Sequence, residues 1–222
     1  MISERLLELS LIGAEWVLWL LFALSLYSIA VLADRVILYT RTREKIAELE
    51  PGLTAALTNG DLDGARQQVK QDSLVRNVLR AGLDAISSGK RDPGTVEQTM
   101  MGALSRERAR YEARLTPLAT IGNNAPFIGL FGTVLGIIQA FHQLGKLDAS
   151  QAASNQLVMS SISEALVATG VGIMVAIPAV AAFNWARSNI SARIKHAESL
   201  MHAVIVGLSN FETAPVKESS GK

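Results

Sequence analysis

One carboxylate sits where a carboxylate is costly. The stretch Ser160–Trp185 reads SSISEALVATGVGIMVAIPAVAAFNW, and Glu164 is the only formal charge between Ala149 and Ala186. A helix needs about 20 predominantly apolar residues to cross a bilayer, and this run is long enough. An acidic side chain at the centre of such a helix costs roughly 2.5–3.5 kcal/mol on insertion-based scales. Such a group normally faces a bundle interior or a wet cavity, so Glu164 is the first candidate for a functional site. Its structural alternative is a protonated carboxyl that hydrogen-bonds to a neighbouring helix and serves as packing glue.

Two further runs have the same character. Trp16–Ala33 carries no charge, is preceded by Glu4, Glu8 and Glu15, and is followed by Arg35, Arg41, Arg43 and Lys45. A secretory signal peptide has its positive charges in front, so this order predicts a retained membrane helix whose N-terminus is outside. Leu115–Gly145 contains no Lys, Arg, Asp or Glu. Its small residues Gly122, Ala125, Gly129, Gly132 and Gly136 are spaced for close helix packing, with Gly132 and Gly136 as a G-x-x-x-G pair. Of the 21 Lys and Arg residues, only Arg5 and Lys146 fall on the side assigned as outer. The positive-inside rule then predicts three spans with a cytoplasmic C-terminus.

The expected fold is an all-α integral membrane protein with long cytoplasmic helical extensions. Its segments are an outer N-terminal lead (1–14), a first span (15–39), a cytoplasmic helical domain (40–114), a second span (115–142), a short outer loop (143–156), a third span (157–186), a cytoplasmic helix (187–212) and a disordered tail (213–222). In the lead, Ile2, Leu6, Leu9 and Ile12 recur at helical spacing. Pro51-Gly52 is expected to interrupt the helix that leaves the first span, and Asn59-Gly60 to make a turn. Asp61 and Asp92 are predicted N-caps, the latter with Pro93 at the first helical position. An apolar stripe is predicted along Leu74, Val75, Val78, Leu79, Ala81, Ala85 and Ile86, and Val96, Met100, Ala103, Glu107, Tyr111 and Leu115 follow at helical steps of three or four. Ile190, Ile194, Ala197, Met201, Val204, Leu208 and Phe211 keep an a/d rhythm, so the third span should continue as one long helix.

Composition excludes several chemistries. The chain has no cysteine, which removes disulfides and thiolate nucleophiles, and its net charge of +1 argues against a nucleic-acid binder working through a basic field. His142, His196 and His202 are scattered, so no metal site is expected, and the Asp61, Asp63, Gly64 cluster lacks the closing Glu of a calcium loop. No serine–histidine or aspartate pair is placed at bilayer depth for an intramembrane hydrolase. Neither enzymatic activity nor a cofactor is expected. The Arg106–Arg114 cluster reads as a solvated face, with lipid headgroups as its alternative contact.

Thr133 and Thr169 add polar groups to the second and third spans. Taken singly, each hydroxyl can bond to the carbonyl one turn back. With outer boundaries near Ala140 and Leu157, a rise of about 1.5 Å per residue puts Thr133 and Glu164 at one depth, roughly 10 Å in. Thr169 lies on the same helix as Glu164 but about 140° around it. Pro178 reads as a kink supported by neighbouring helices.

The segments PFIGLFGTVLGIIQAF (Pro126–Phe141) and ISEALVATGVGIMVAIPAVAAFN (Ile162–Asn184) closely resemble those of the ExbB/TolQ/MotA proton-channel family, especially its ExbB/TolQ branch. The resemblance covers about 65 residues, Leu118–Asn184, including the spacing between segments. It implies a homopentamer in the bacterial inner membrane whose second and third helices line a central pore. That pore would hold two copies of an ExbD/TolR-like single-span partner, whose movement reaches an envelope load protein. By motif, Glu164, Thr133 and Thr169 fall on family pore positions; the helix-packing role of Gly129, Gly132, Gly136 and Pro178 is read from the residues themselves. The implied activity is ion flow, most simply of protons, down the proton motive force to drive work at a distance. The competing reading is a non-conducting scaffold in which Glu164 only stabilises packing. Asn123, Asn124 and Leu135 depart from the family's usual residues at their positions.

Overall fold

The computed structural model describes residues 15–42, 46–145 and 153–213, and all regular structure among them is helical. The helices are α1 (Glu15–Arg41), α2 (Ile46–Thr58), α3 (Leu62–Gln68), α4 (Leu74–Ser87), α5 (Pro93–Glu112), α6 (Thr116–Leu144) and α7 (Ala153–Thr213). The lead 1–14, Lys146 and Asp148 of the connecting loop, and the tail beyond Thr213 lie outside the described residues. Among the described residues three helices are long and apolar enough to cross a membrane: α1, α6 and the greater part of α7. The chain divides into two compact units, Met1–Arg35 with Arg114–Ala186, and Val36–Ala113 with Arg187–Lys222.

The second unit is built from short helices with strong local punctuation. Asp61 caps α3 by accepting from the Gly64 N–H, Ser73 caps α4 by accepting from Arg76, and Asp92 caps α5 by accepting from both the backbone and hydroxyl of Thr95. These bonds satisfy donors that the first helical turn leaves free. Gly60, at φ 66°, makes the turn before α3. The buried stripe of α4 is Leu74, Val75, Val78, Leu79, Gly82, Leu83, Ala85 and Ile86. Ala81, placed on that stripe by spacing, is only half-buried; Gly82 and Leu83 take the inner position beside it. A Cβ on Gly82 would meet Met100 Sδ at 2.5 Å, so α4 and α5 approach closely there. On α5, Val96, Met100, Ala103 and Tyr111 are buried, and Glu107 accepts a hydrogen bond from Asn77 of α4.

Pro51-Gly52 does not interrupt the chain as expected. Pro51 lies inside α2, and the break falls earlier, after Arg41. Leu49, Leu53 and Leu57 are all buried at four-residue steps across the proline. Burial of three leucines, about 1.5–3 kcal/mol each, offsets the one backbone hydrogen bond a proline removes.

α7 is an unbroken helix of 61 residues that passes through Pro178. A rise of about 1.5 Å per residue makes it roughly 90 Å long, three times a hydrocarbon core. In the second unit its residues Ile190, Ala197, Leu200, Met201, Val204 and Leu208 are buried. Arg193 sits among them, donating to the Tyr39 and Thr42 carbonyls at 2.9 and 2.8 Å, with its guanidinium 5.6 and 5.4 Å from the stacked rings of Tyr39 and Tyr111. A cation is thus held on the last carbonyls of α1, where the helix dipole favours it.

Candidate functional site

Within the first unit the glycines of α6 meet the small residues of α7 almost backbone to backbone. A Cβ on Gly136 would stand 2.5 Å from Ala165 Cβ; on Gly132, 2.8 Å from Ala168 Cβ and 3.1 Å from Val17 Cγ1. On Gly129 it would stand 2.7 Å from the Ala168 carbonyl, and on Gly172 2.7 Å from the Ala125 carbonyl. Gly129, Gly132 and Gly136 therefore form one packing seam. On the receiving side Ala168 and Gly172 form a further small-xxx-small pair, with Ala165 three residues before it, a pattern the sequence reading does not single out.

The seam fixes the register of the polar residues beside it. Gly136 faces Ala165 and Gly132 faces Ala168, so Thr133 stands level with Val167–Ala168, next to the level of Thr169. Glu164 stands level with Ile137, about one helical turn, or roughly 6 Å, from Thr133. The equal depth expected for Thr133 and Glu164 is therefore corrected: Thr133 shares its level with Thr169 instead. The offset between α6 and α7 is set by which small residues interlock along the seam, Gly136 with Ala165 and Gly132 with Ala168.

α1 lies against the same pair. Its Val17 touches the Gly132 position, Trp16 meets Phe131 edge to face at 6.2 Å, and Asp34 accepts from Arg114 at 3.3 Å. Its Val17 and Leu21 share a buried cluster with Ile121, Ala125, Leu135, Val175, Ala176 and Ala179. An apolar cavity of about 690 Å³ between α1 and α7 is lined by Glu15, Leu18, Trp19, Phe22, Val171 and Met174, among others. At about 100° per residue, Glu164 projects on the α1 flank of α7, above Val171 and Val175, whereas Thr169 projects on the opposite flank. Thr133 flanks the α6 side of the seam away from α1 in the same way. The two threonines thus share a level and a side, and the acid lies one turn away on the other.

Their hydrogen bonding differs. Thr133 donates to the Leu130 carbonyl at 2.6 Å, as a threonine in a helix can. The Thr169 hydroxyl oxygen is buried and bonds to no described residue, against the back-bond expected for it. An unmet buried hydroxyl costs about 1–3 kcal/mol. The half-buried Glu164 carboxyl also makes no hydrogen bond to a described residue. Hydroxyls at one level can solvate a cation or pass a proton, and a carboxyl one turn away can bind and release either. Pro178 is exposed on α7, away from the seam. Among the described residues no group of three or more His, Cys, Asp or Glu side chains could hold a metal.

Three membrane-length helices, a glycine seam and polar side chains beside it define an all-helical membrane protein with ionisable and hydroxyl groups inside its spans. Residues 70–199 match the MotA/TolQ/ExbB proton channel family. The chain belongs to that family, one of proton channels rather than of enzymes. It is 31% identical over 209 residues to the biopolymer transport protein ExbB of Neisseria meningitidis, covering 90% of this chain and 92% of that one. It is 41% identical over 121 residues, 51% of each chain, to the Tol-Pal system protein TolQ of Pseudomonas aeruginosa. With the biopolymer transport protein ExbB of Xanthomonas campestris pv. campestris it shares 43% identity over 90 residues, 40% of this chain. The chain thus spans about half the length of that TolQ and about a third of that ExbB. These names agree with the ExbB/TolQ branch.

Proposed function

We propose that this chain is the pore-forming subunit of a motor in the bacterial inner membrane, coupling ion flow to mechanical work on an envelope partner. The ion is most simply a proton. The N-terminus is periplasmic and the C-terminus cytoplasmic, and the subunit works as a homopentamer around two copies of an ExbD/TolR-like single-span partner. Through that partner it acts on a load in transport energisation, envelope maintenance or surface motility. Each elementary charge falling through 100 mV releases about 2.3 kcal/mol, so a few ions per cycle supply a conformational stroke.

The observation that carries this reading is the pairing of Thr133 and Thr169 at one level, on the flank of the seam away from α1. Such a flank suits a pore lined by α6 and α7 with α1 outside. Glu164 lies one turn away on the α1 flank and has no hydrogen bond to any described residue, so it is read as a proton site beside that pathway rather than as the packing glue of a scaffold, which needs a partner for its carboxyl. Gly129, Gly132 and Gly136 hold together the two helices that carry these groups. The test is Glu164→Ala in the intact complex. Retention of the wild-type oligomer with loss of cellular function is the expected outcome, and full activity in that variant sinks the pore assignment.

A further inference from the structure

The second unit holds a cavity that the ion pathway does not use. Its volume is about 490 Å³, and it is lined by Asp63, Arg66, Gln67 and Lys70 from the α3 side and by Arg80 and Asp84 of α4. The first four recur at helical spacing, as do the last two, so each set belongs to one helical face. Packed helices ordinarily turn apolar stripes toward each other. Here every side chain lining the cavity is polar, and three of the six are cations.

The cations are held in different ways. Arg66 donates through Nε and Nη2 to one oxygen of Asp84, at 3.1 and 2.7 Å, so a carboxylate meets its charge. Arg80 donates through Nε at 3.1 Å, and also through Nη2, to the Val69 carbonyl, and through Nη2 to the Gln71 carbonyl at 3.2 Å. Val69 closes α3, where the helix dipole favours a cation. Neutral carbonyls fix the guanidinium without cancelling its charge. Arg108 and Arg110 of the same unit are instead fixed by the carboxylates of Glu112 and Asp72. Lys70 makes no hydrogen bond or ion pair to a described residue. With Arg66 balanced by Asp84, the cavity keeps two cations, Lys70 and Arg80, against the carboxylate of Asp63.

Both guanidinium groups engage Nε and Nη2 and leave Nη1 without a described partner. With the Lys70 ammonium, three separate side chains thus retain N–H donors around one space. A phosphate group carries three terminal oxygens that accept charge-assisted hydrogen bonds from such donors. Arg80 is already immobilised, so a ligand does not have to order it. The volume falls within the range of small-molecule sites, about 300–1,000 Å³. Without an apolar side chain in the lining, an acyl chain or an apolar peptide anchor has nothing to rest on.

We propose that the cleft between α3 and α4 binds a small soluble phosphate monoester. Lys70 and Arg80 are its main contacts, Arg66 supplies a third donor, and Asp63 is the opposing charge that limits affinity. The site is independent of the ion pathway and gives the second unit a ligand of its own.

The test is calorimetric titration of the full chain in detergent with glycerol 3-phosphate, at a physiological ionic strength of about 0.15 M. Saturable binding is expected, weakened at least about tenfold in Lys70→Gln, because a hydrogen bond to a charged group contributes that much. Arg80→Lys keeps the charge but loses the fork on the two carbonyls, and should weaken binding as well. Asp63→Asn removes the opposing charge and should tighten it. Arg108→Gln removes a positive charge on α5 that lines no part of the cavity, and should leave affinity unchanged. Thermal unfolding of each variant separates a folding defect from a binding defect. Absence of saturable binding at millimolar ligand, wild-type affinity in Lys70→Gln, weaker binding in Asp63→Asn, or an equal loss in Arg108→Gln overturns the proposal. So does binding of a phosphoserine peptide without binding of glycerol 3-phosphate, which would make the cleft a docking site for a protein.

Discussion

Gly132 of α6 and Ala168 of α7 meet so closely that a Cβ added to the glycine would stand 2.8 Å from the alanine's own Cβ. This contact, repeated at Gly129 and Gly136, sets which polar residues share a level. Thr133 and Thr169 come together because the glycine beside one faces the alanine beside the other.

At Gly129 the added Cβ would meet a carbonyl oxygen of α7, and backbone cannot step aside as a side chain can. Gly129→Ala is therefore expected to destabilise by about 1–3 kcal/mol. Gly102, inside α5, has only the far end of the Arg106 side chain within reach. Gly102→Ala should stabilise by about 1 kcal/mol through helix propensity. Thermal unfolding of both variants in detergent checks the contrast, and equal effects would mean that the seam is looser than described.

Arg193 donates to two carbonyls at the end of α1 and lies beside two aromatic rings. Lysine keeps the charge but cannot make the forked pair of bonds or stack as a plane. Arg193→Lys should thus behave almost as Arg193→Ala, each losing about 2–4 kcal/mol. Denaturant unfolding of the full chain distinguishes this from a role for charge alone, in which lysine would restore most of the stability.

Asp72, just before α4, is held by Arg110 of α5 through bonds of 2.8 and 3.0 Å and by Asn77 at 2.8 Å. The Arg110 hydrogen bond, followed by that from Asn77, lowers its carboxyl to about 2. A depressed carboxylate contributes stability that is complete above its ordinary value near 3.8 and is lost as pH falls through about 2. The pair is exposed, so the effect is modest. Helicity followed between pH 4 and pH 2 should decline less steeply in Asp72→Asn than in the parent chain; parallel curves would show that the pair does not couple to folding.

Much of this arrangement was legible in the sequence. Asp61 and Asp92 announce their caps because the bonds they make are local, and the run from Ile190 to Leu208 announces a packed helix by its spacing alone. Glu164, Thr133 and Thr169 are conspicuous because each is polar inside a charge-free stretch. The level they occupy was not legible, since helix offset depends on which small residues interlock across the seam. Pro51 misled for a related reason: a local breaker yields when Leu49, Leu53 and Leu57 are all buried on one face. The clamp at Arg193 joins residues about 150 positions apart, and nothing local marks that arginine among its neighbours.

The most direct measurement is proton flux in proteoliposomes that contain this protein with its co-purified single-span partner under an imposed potential. Wild type, Glu164→Gln and Thr133→Val would be compared at equal assembly. Flux that requires the partner and falls in both variants is the result expected of a pathway running past the glycine seam. Undiminished flux in both variants, or none from a fully assembled wild-type complex, would contradict it.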